Sequence, residues 1–279
     1  MAIPRRVKER LRAELKKYVK VLEAQRKRDV SEADTVTVCK DVLGDVFGYD
    51  KYAEITGEQE IRGKYCDLAI KIDDKIRLLI EVKAIGIKLN ERHLDQAVSY
   101  SANQGIDWVI LTNGIEWKLY HMIFQKPIDK EEVMRINLLD VNTRSESEIE
   151  KLYVLTREGI TKNALSEFRD RKDATSRFML AAILTGSDSV VSAIRREVRS
   201  VSDMLIDPEV IEKVLREQVI KREALEGDQA VDAKRRLTRS TNQRKKEKSQ
   251  RKSKTKTPVE PPDSDRSQTS SHLLPPNNA

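Results

Sequence analysis

Two short segments that read as neighbouring strands place the strongest constraint on the fold. They span residues 64–72 and 75–84 and are separated only by the turn residues around 73–75. Two strands joined by so short a turn pair as an antiparallel hairpin. The first segment alternates, with Cys66, Leu68, Ile70 and Ile72 on one face and Asp67, Ala69 and Lys71 on the other. A sheet is therefore predicted.

The periodicity on either side of this hairpin predicts an α/β core with a mixed sheet. The further predicted strands span 52–61, 108–112, 115–122 and 132–139, and Asn113-Gly114 is a strong hairpin turn. Apolar residues at helical spacing predict helices over 4–28, 32–47 and 90–103. We expect an N-terminal amphipathic helix over residues 1–30 and the sheet domain over residues 31–144.

The rest of the chain differs in character. Residues 145–226 predict a small helical module, with helices over 147–158, 163–185, 187–201 and 207–224. The composition of residues 227–279 predicts a disordered tail, whose first part is basic and whose second part is rich in Pro and Ser. Such a segment has too little apolar surface to offset the entropy cost of ordering. Any function of this tail would come from its positive charge, which can bind an anionic partner.

Composition restricts the classes of partner. Of 279 residues, 35% are charged and 38% are hydrophobic, and the formal net charge is +7. This balance favours an anionic partner, nucleic acid before a membrane surface. Cys39 and Cys66 lack disulfide or metal spacing and are interpreted as core residues in a reducing compartment. With no secretory signal and no apolar run of spanning length, we expect a soluble cytoplasmic protein without a membrane partner.

Charged residues inside the predicted buried strand mark a candidate site. Glu81 and Lys83 are two apart, so their side chains share a face. In the simplest hairpin register, paired residue numbers sum to about 148, which sets Asp67 opposite residue 81. The alternatives are an exposed edge strand with a cross-strand ion pair for Glu81 and Lys83, and an isolated surface residue for Asp67.

A pair of adjacent carboxylates indicates metal chemistry. Two such groups repel each other unless one is protonated or a cation joins them. Mg²⁺ typically takes one or two carboxylates together with water and phosphate oxygens. A neighbouring lysine can orient or help deprotonate a water molecule. The trio of Asp67, Glu81 and Lys83 thus predicts metal-assisted hydrolysis of a phosphodiester.

The ordered motifs of the chain resemble a known nuclease family. The chain matches the D…(D/E)xK pattern of the PD-(D/E)xK superfamily: Asp67 is followed, after thirteen residues, by Glu81-Val82-Lys83. The chain is most similar to the N-terminal nuclease domain of type I restriction enzyme R subunits. Further matching stretches, which together cover about half the chain, are "SEADTVTVCKDVLGDVFGYD" (31–50), "QAVSY" (96–100), "VILTNGIEWKLYH" (109–121) and "IEKLYVLTREGI" (149–160).

The resemblance implies a restriction-endonuclease-like fold and a role for each matching residue. Asp67 and Glu81 would bind Mg²⁺, or Mn²⁺ in its place, with the backbone carbonyl of Val82 as a third ligand. Lys83 would be the catalytic lysine. Glu32 would lie at the edge of the site, although it could equally be an acid favoured by the helix dipole. Two further implied residues are Gln96, holding the lysine or touching DNA, and Tyr100, supporting it or contacting the nucleic-acid backbone.

The function implied is a Mg²⁺-dependent nuclease in a prokaryotic or phage setting, with double-stranded DNA as its expected substrate. No phosphate-binding loop of an ATP-driven motor occurs in the sequence, so targeting would come from the domain itself or from a partner protein. The alternative is a nucleic-acid-binding or adaptor protein that keeps the fold without cleaving. The basic residues expected to bind nucleic acid are Arg244, Lys245, Lys246, Arg251 and Lys252. The oligomeric state stays open, a dimer included.

Overall fold

A six-stranded mixed sheet, with its strands in chain order, forms the centre of the first part of the structure. The computed structural model describes residues 2–61, 64–124 and 127–254. Its contacts divide the chain into two compact units, one up to residue 175 and one from residue 176. The α/β class and the mixed sheet predicted from the periodicity are confirmed.

Neighbouring strands are antiparallel except for one pair. The third and fourth strands run parallel, and the crossover between them carries a helix, as is usual for parallel pairing. The strands are β1 (Ile55–Ile61), β2 (Lys64–Ile72), β3 (Lys75–Val82), β4 (Trp108–Thr112), β5 (Glu116–Ile123) and β6 (Asp129–Asn137). The ends of the predicted segments move by a few residues, and the first strand begins at Ile55 rather than at residue 52.

The register of the β2–β3 hairpin is the predicted one at the end away from the turn, where the candidate site residues lie. Leu68 pairs with Ile80 and Ile70 pairs with Leu78, so these residue numbers sum to 148. The register shifts by one residue next to Ile70, and Lys71 pairs with Ile76. The shift is confined to the turn end, so the opposite end of the hairpin keeps Asp67 next to Glu81 and Val82.

Helices cover both faces of the sheet. On one face, the first two helices share a buried cluster with Leu68, Ile70 and Ile80. On the other face, the helix of the crossover shares a cluster with Ala69 and Leu79. The helices of this unit are α1 (Arg5–Arg28), α2 (Glu32–Asp41, followed by a π-helical turn, Val42–Val46), α3 (Asp95–Gln104, preceded by a 3-10 turn, Glu91–Leu94), α4 (Glu146–Val154), α5 (Arg157–Thr161) and α6 (Ala164–Ala174).

Cys66 lies on a different face from the one its alternation predicted. It packs in the cluster beneath α3, with Ala69 and Leu79, rather than with Leu68. The strict alternation of β2 ends here, beyond the last β2–β3 pair of Leu68 and Ile80, although β2 is still paired with β1 at Cys66. Both cysteines are nevertheless free and buried, as expected for core residues.

A segment late in the first unit holds its early elements together. The Tyr49 hydroxyl donates to the Leu155 carbonyl oxygen at 2.8 Å. Arg157 pairs with Glu54 at 2.7 Å, and Arg10 pairs with Glu158 at 2.7 Å. These contacts join residues 149–161 to three positions in the first 54 residues of the chain.

The second unit is helical. Its helices are α7 (Arg177–Gly186), α8 (Asp188–Ser202), α9 (Pro208–Val214) and α10 (Asp228–Lys254). The helix predicted over 163–185 is broken between α6 and α7, where Ser176 accepts a hydrogen bond from the Met179 amide and caps α7. Across the described residues no helix by itself has the length and apolar character needed to cross a membrane; α7 and α8, bent by 71°, meet that test only when joined.

The prediction of coil from residue 227 onward is wrong for residues 228–254, which form α10. This segment contains neither glycine nor proline, and most of its residues are good helix formers. Ala230 and Ala233 are buried, and Arg236 pairs with Asp232 one turn away at 2.8 Å. Packing through small residues thus stabilises a helix that the average composition did not indicate. Residues 255–279 lie outside the described residues, and the expectation there stays a prediction.

Candidate active site

Three of the predicted site residues meet at the carboxyl end of β3. The Lys83 ammonium donates to Glu81 Oε1 at 2.8 Å and lies 3.6 Å from Glu32 Oε2. Glu81 is only 3% exposed, so its charge is buried. Glu32 is the first residue of α2, which Ser31 caps by accepting a hydrogen bond from the Asp34 amide. The structure therefore brings Glu32, Glu81 and Lys83 together as the motifs predicted.

Asp67 joins this group through the backbone. Its Oδ2 accepts a hydrogen bond from the Val82 amide at 2.7 Å. The regular ladder between β2 and β3 ends one pair earlier, at Leu68 and Ile80. At the next position, the Asp67 carboxylate, rather than a backbone carbonyl of β2, accepts the hydrogen bond from the Val82 amide. This bond orients Asp67 towards the same end of the sheet as Glu81.

Two further residues fix the loop that follows β3. The Thr35 hydroxyl accepts a hydrogen bond from the Ile85 amide at 3.1 Å, which ties α2 to this loop. Asn113 Nδ2 donates to the Ile87 carbonyl oxygen at 2.9 Å. Asn113 also accepts from the backbone amides of the next turn, where Gly114 has a φ of 82°. The sequence indicated the Asn113-Gly114 turn but not its support of the site, and Thr35 gave no signal.

The electrostatics of Glu81 are unusual for a carboxylate. Burial raises the pKa of Glu81 to about 7, and the nearby charges of Asp67 and Glu32 act in the same direction, while Lys83 opposes the rise. Burial disfavours the charged form of Lys83, yet its hydrogen bond to Glu81 and the negative charges of Glu81, Glu32 and Asp67 together outweigh this effect and raise the pKa of Lys83. Lys83 therefore stays cationic near neutral pH, whereas Glu81 titrates there.

The cysteines near the site are not nucleophiles. Burial, together with the charge of Glu81, raises the pKa of Cys66 to about 12. Burial, together with the charge of Asp67, also raises the pKa of Cys39. Since the thiolate is the reactive and metal-binding form, both side chains are inert core residues near neutral pH.

The carboxylates of Asp67 and Glu81 fit a hard divalent cation as a partial ligand set. Their mutual repulsion is what a bound cation would relieve, and carboxylate oxygens are the donors that Mg²⁺ prefers. Within the part of the chain that the structure describes, no cluster of three or more His, Cys, Asp or Glu side chains could hold a metal ion. A cation here would need water, phosphate oxygens or the Val82 carbonyl as its other ligands.

The two motif residues on α3 are placed differently. Gln96 is exposed, and the described side chains include no hydrogen bond between it and Lys83. Tyr100 is 1% exposed and packs in the cluster with Leu79 and Leu111, so its expected contact with nucleic acid does not fit. Spacing alone could not show that this face of α3 lies on the sheet. The Tyr100 hydroxyl has no hydrogen-bond partner among the described residues.

The basic residues expected to bind nucleic acid lie on α10 in the second unit. The side chains of Arg244 and Lys246 are exposed. Those of Lys245, Arg251 and Lys252 lie outside the described residues. Their role stays a prediction.

Comparison with known proteins finds a family model that matches the sheet and the helix between its third and fourth strands. A model of the type I restriction enzyme R protein N terminus matches residues 38–137. No curated protein and no solved structure matches the chain. The matched segment contains all six strands and α3, together with Asp67, Glu81 and Lys83, and Glu32 precedes it. The resemblance that the motifs indicated is therefore confirmed over residues 38–137, the segment that the model of the type I restriction enzyme R protein N terminus matches.

Proposed function

We propose that this chain is a Mg²⁺-dependent nuclease of the PD-(D/E)xK type that hydrolyses DNA phosphodiester bonds. The observation that carries the proposal is the buried Glu81 carboxylate, held 2.8 Å from Lys83 and beside the backbone-anchored Asp67. Buried charges are costly in a purely structural strand. The match of residues 38–137 to the type I restriction enzyme R protein N terminus supports a nuclease-related role.

Each residue of the trio has a distinct task. Asp67 and Glu81 would hold the cation, and the Val82 amide fixes the Asp67 carboxylate. Mg²⁺, when bound, would supply Lewis-acid activation of a phosphate oxygen or of a water molecule. Lys83 remains cationic and, from its contact with Glu81, orients a water molecule or stabilises the developing negative charge on the phosphate.

A cleavage assay tests this proposal. The purified chain with Mg²⁺ is expected to cut plasmid or linear DNA, and EDTA is expected to stop it. Glu81→Gln and Lys83→Met remove the two charges with little change in volume and should lower the rate at least a hundredfold. Lys75→Gln, an exposed residue at the opposite end of β3, is the matched control. If the site variants cut as fast as this control, the site assignment is wrong.

A second candidate is a DNA-binding or adaptor protein that retains the fold without cleaving. It is favoured by α10, a helix of 27 residues on which basic residues greatly outnumber acids. Binding that persists in EDTA, with no cleavage under Mg²⁺ or Mn²⁺, would support this candidate over hydrolysis. Cleavage that depends on Glu81 would exclude it.

A further inference from the structure

Lys40, which the nuclease motif does not include, lies against the strand that carries Asp67. It belongs to α2, and its Nζ is 3.1 Å from the point where a side chain at Gly57 would place its Cβ. The Asp67 carbonyl oxygen is 4.0 Å from the same point. The ammonium therefore lies over the β1–β2 pair, next to the position where β2 presents Asp67.

The charge of Lys40 has no carboxylate partner among the described residues. Lys83 is paired with Glu81 and Glu32, and Lys51 is paired with Asp41 and Asp45. Lys40 is half-buried and takes part in no ion pair or side-chain hydrogen bond in the described part of the chain. A partly desolvated ammonium of this kind is available to an anion from outside the protein.

The direction of α2 sets Lys40 apart from Lys83. Glu32, at the start of α2, lies near Lys83 of β3, whereas Lys40 lies over Gly57 of β1. Eight residues of helix span about 12 Å, and two strand spacings amount to about 10 Å. Since β2 lies between β1 and β3, Asp67 is flanked by one paired and one unpaired ammonium group.

We propose that Lys40 is a phosphate-binding residue, which holds a backbone phosphate of the DNA strand next to the scissile one. The inference rests on the proposed nuclease function and extends it to substrate positioning. Phosphates follow one another about every 3.4 Å of helix axis along a strand. A DNA strand that has one phosphate at Asp67 and Glu81 and continues towards β1 would bring a neighbouring phosphate to Lys40.

Gly57 makes this approach feasible. A glycine within a strand often marks a site where another group comes close to the backbone. Any larger residue at this position would have its Cβ within 3.1 Å of the Lys40 ammonium and would crowd it. The missing side chain leaves room for the ammonium, and for a phosphate oxygen that it binds, beside the sheet.

The test compares three variants of the full chain in duplex binding. Lys40→Gln removes the charge, Lys40→Arg keeps it, and Lys75→Gln is the matched control. Binding of a short duplex in EDTA is measured over a series of salt concentrations. For Lys40→Gln we expect affinity to fall by up to about fivefold, as for one partly exposed charge pair, and the log–log salt slope to fall by about one. Lys40→Arg should restore both.

A second measurement does not depend on any substitution. Lysine acetylation of the wild-type chain, read by mass spectrometry with and without duplex in EDTA, should show protection of Lys40 and none of Lys75. Equal modification of Lys40 with and without DNA would overturn the proposal. So would a Lys40→Gln variant, folded like the wild type, whose affinity and salt slope equal those of Lys75→Gln.

The two proposals can fail separately. The wild type could bind DNA without cleaving it while Lys40→Gln still lowers the salt slope of DNA binding. That result would support the phosphate contact of Lys40 and contradict the proposed hydrolysis. If the wild type cleaves and Lys40→Gln changes neither the slope nor the KM, the nuclease stands and the role of Lys40 falls.

Discussion

At the scale of single residues, Glu81 is the position where stability and chemistry conflict. A carboxylate that is 3% exposed is disfavoured in its charged form, and Lys83 compensates only in part. The neutral form of Glu81 is therefore the more stable one up to about neutral pH. A cation that binds the charged form would supply the missing compensation.

The first prediction concerns stability against pH. The pKa of Glu81 rises from 4.5 to about 7 on folding, so the folded chain binds more protons than the unfolded chain between these values. The contribution of Glu81 to the free energy of unfolding should accordingly fall as pH rises through this window, by up to roughly 3 kcal/mol. Glu81→Gln should lack this decline. Urea denaturation at pH 5 and pH 8 measures it, and equal pH dependence in both proteins would contradict it.

The second prediction concerns metal binding at the same residue. Protons compete with Mg²⁺ for the Glu81 carboxylate, so the affinity for Mg²⁺ should fall below about pH 7, by up to about tenfold per pH unit. Mg²⁺ should raise the melting temperature more at pH 8 than at pH 6 in the wild type. The same titration on Glu81→Gln should show little Mg²⁺ effect at either pH. A wild-type shift that is independent of pH would refute the competition.

At the scale of elements, α1 is a structural support for the site-bearing sheet. Its residues Leu11, Leu15 and Leu22 are almost completely buried, in the cluster that includes Leu68 and Ile80 of the site hairpin. The other faces of α1 carry mostly charged residues. Because its apolar side packs against the sheet, α1 acts as part of the domain core rather than as a separate helix.

The third prediction follows from that packing. Leu15→Ala should lower the free energy of unfolding by roughly 2–5 kcal/mol, since it removes buried methyl groups and leaves a cavity. Lys16→Ala, an exposed neighbour on the same helix, should change it by less than about 0.5 kcal/mol. Chemical denaturation of both variants measures the difference. Similar stability in the two variants would mean that α1 does not contribute to the core.

The same scale shows what the sequence could and could not predict. The hairpin register next to the site followed from the short turn, because a simple hairpin closed there pairs residues whose numbers sum to about 148. The shift beside Ile70 did not follow, because it lies next to a turn in which Asp73 and Asp74 both adopt positive φ. Tyr100 and Thr35 could not be assigned, because spacing along a helix does not show which face packs.

At the scale of the whole molecule, basic charge is concentrated in sequence on one late helix. The net charge of +7 is unevenly distributed along the chain, because on α10 the basic residues are far more numerous than the acidic ones. Helix formation spaces these charges along an axis instead of leaving them in a coil. An extended array of cations is suited to the regular phosphates of a duplex and to binding without base specificity.

The fourth prediction tests this array. Four Gln substitutions on α10 should reduce the log–log salt slope of DNA binding by about 3 to 4, because each contacted phosphate contributes about 0.9. They replace Arg235, Arg239, Arg244 and Lys246. Four exposed basic residues of α1 serve as the control and should have little effect; they are Arg6, Lys16, Lys20 and Lys27. Equal effects of the two sets would mean that total charge, not α10, governs binding.

The order of the strands in the sheet has a consequence for how the protein is made. Each strand pairs with the one synthesised next, and the side chains of the site, Glu32, Asp67, Glu81 and Lys83, all lie within the first 83 residues. The contacts of Tyr49, Glu54 and Arg10 with residues 149–161 form only after about twice that length has been translated. During translation, therefore, both strands of the site hairpin are synthesised early, whereas the segment that holds Arg10, Tyr49 and Glu54 leaves the ribosome much later.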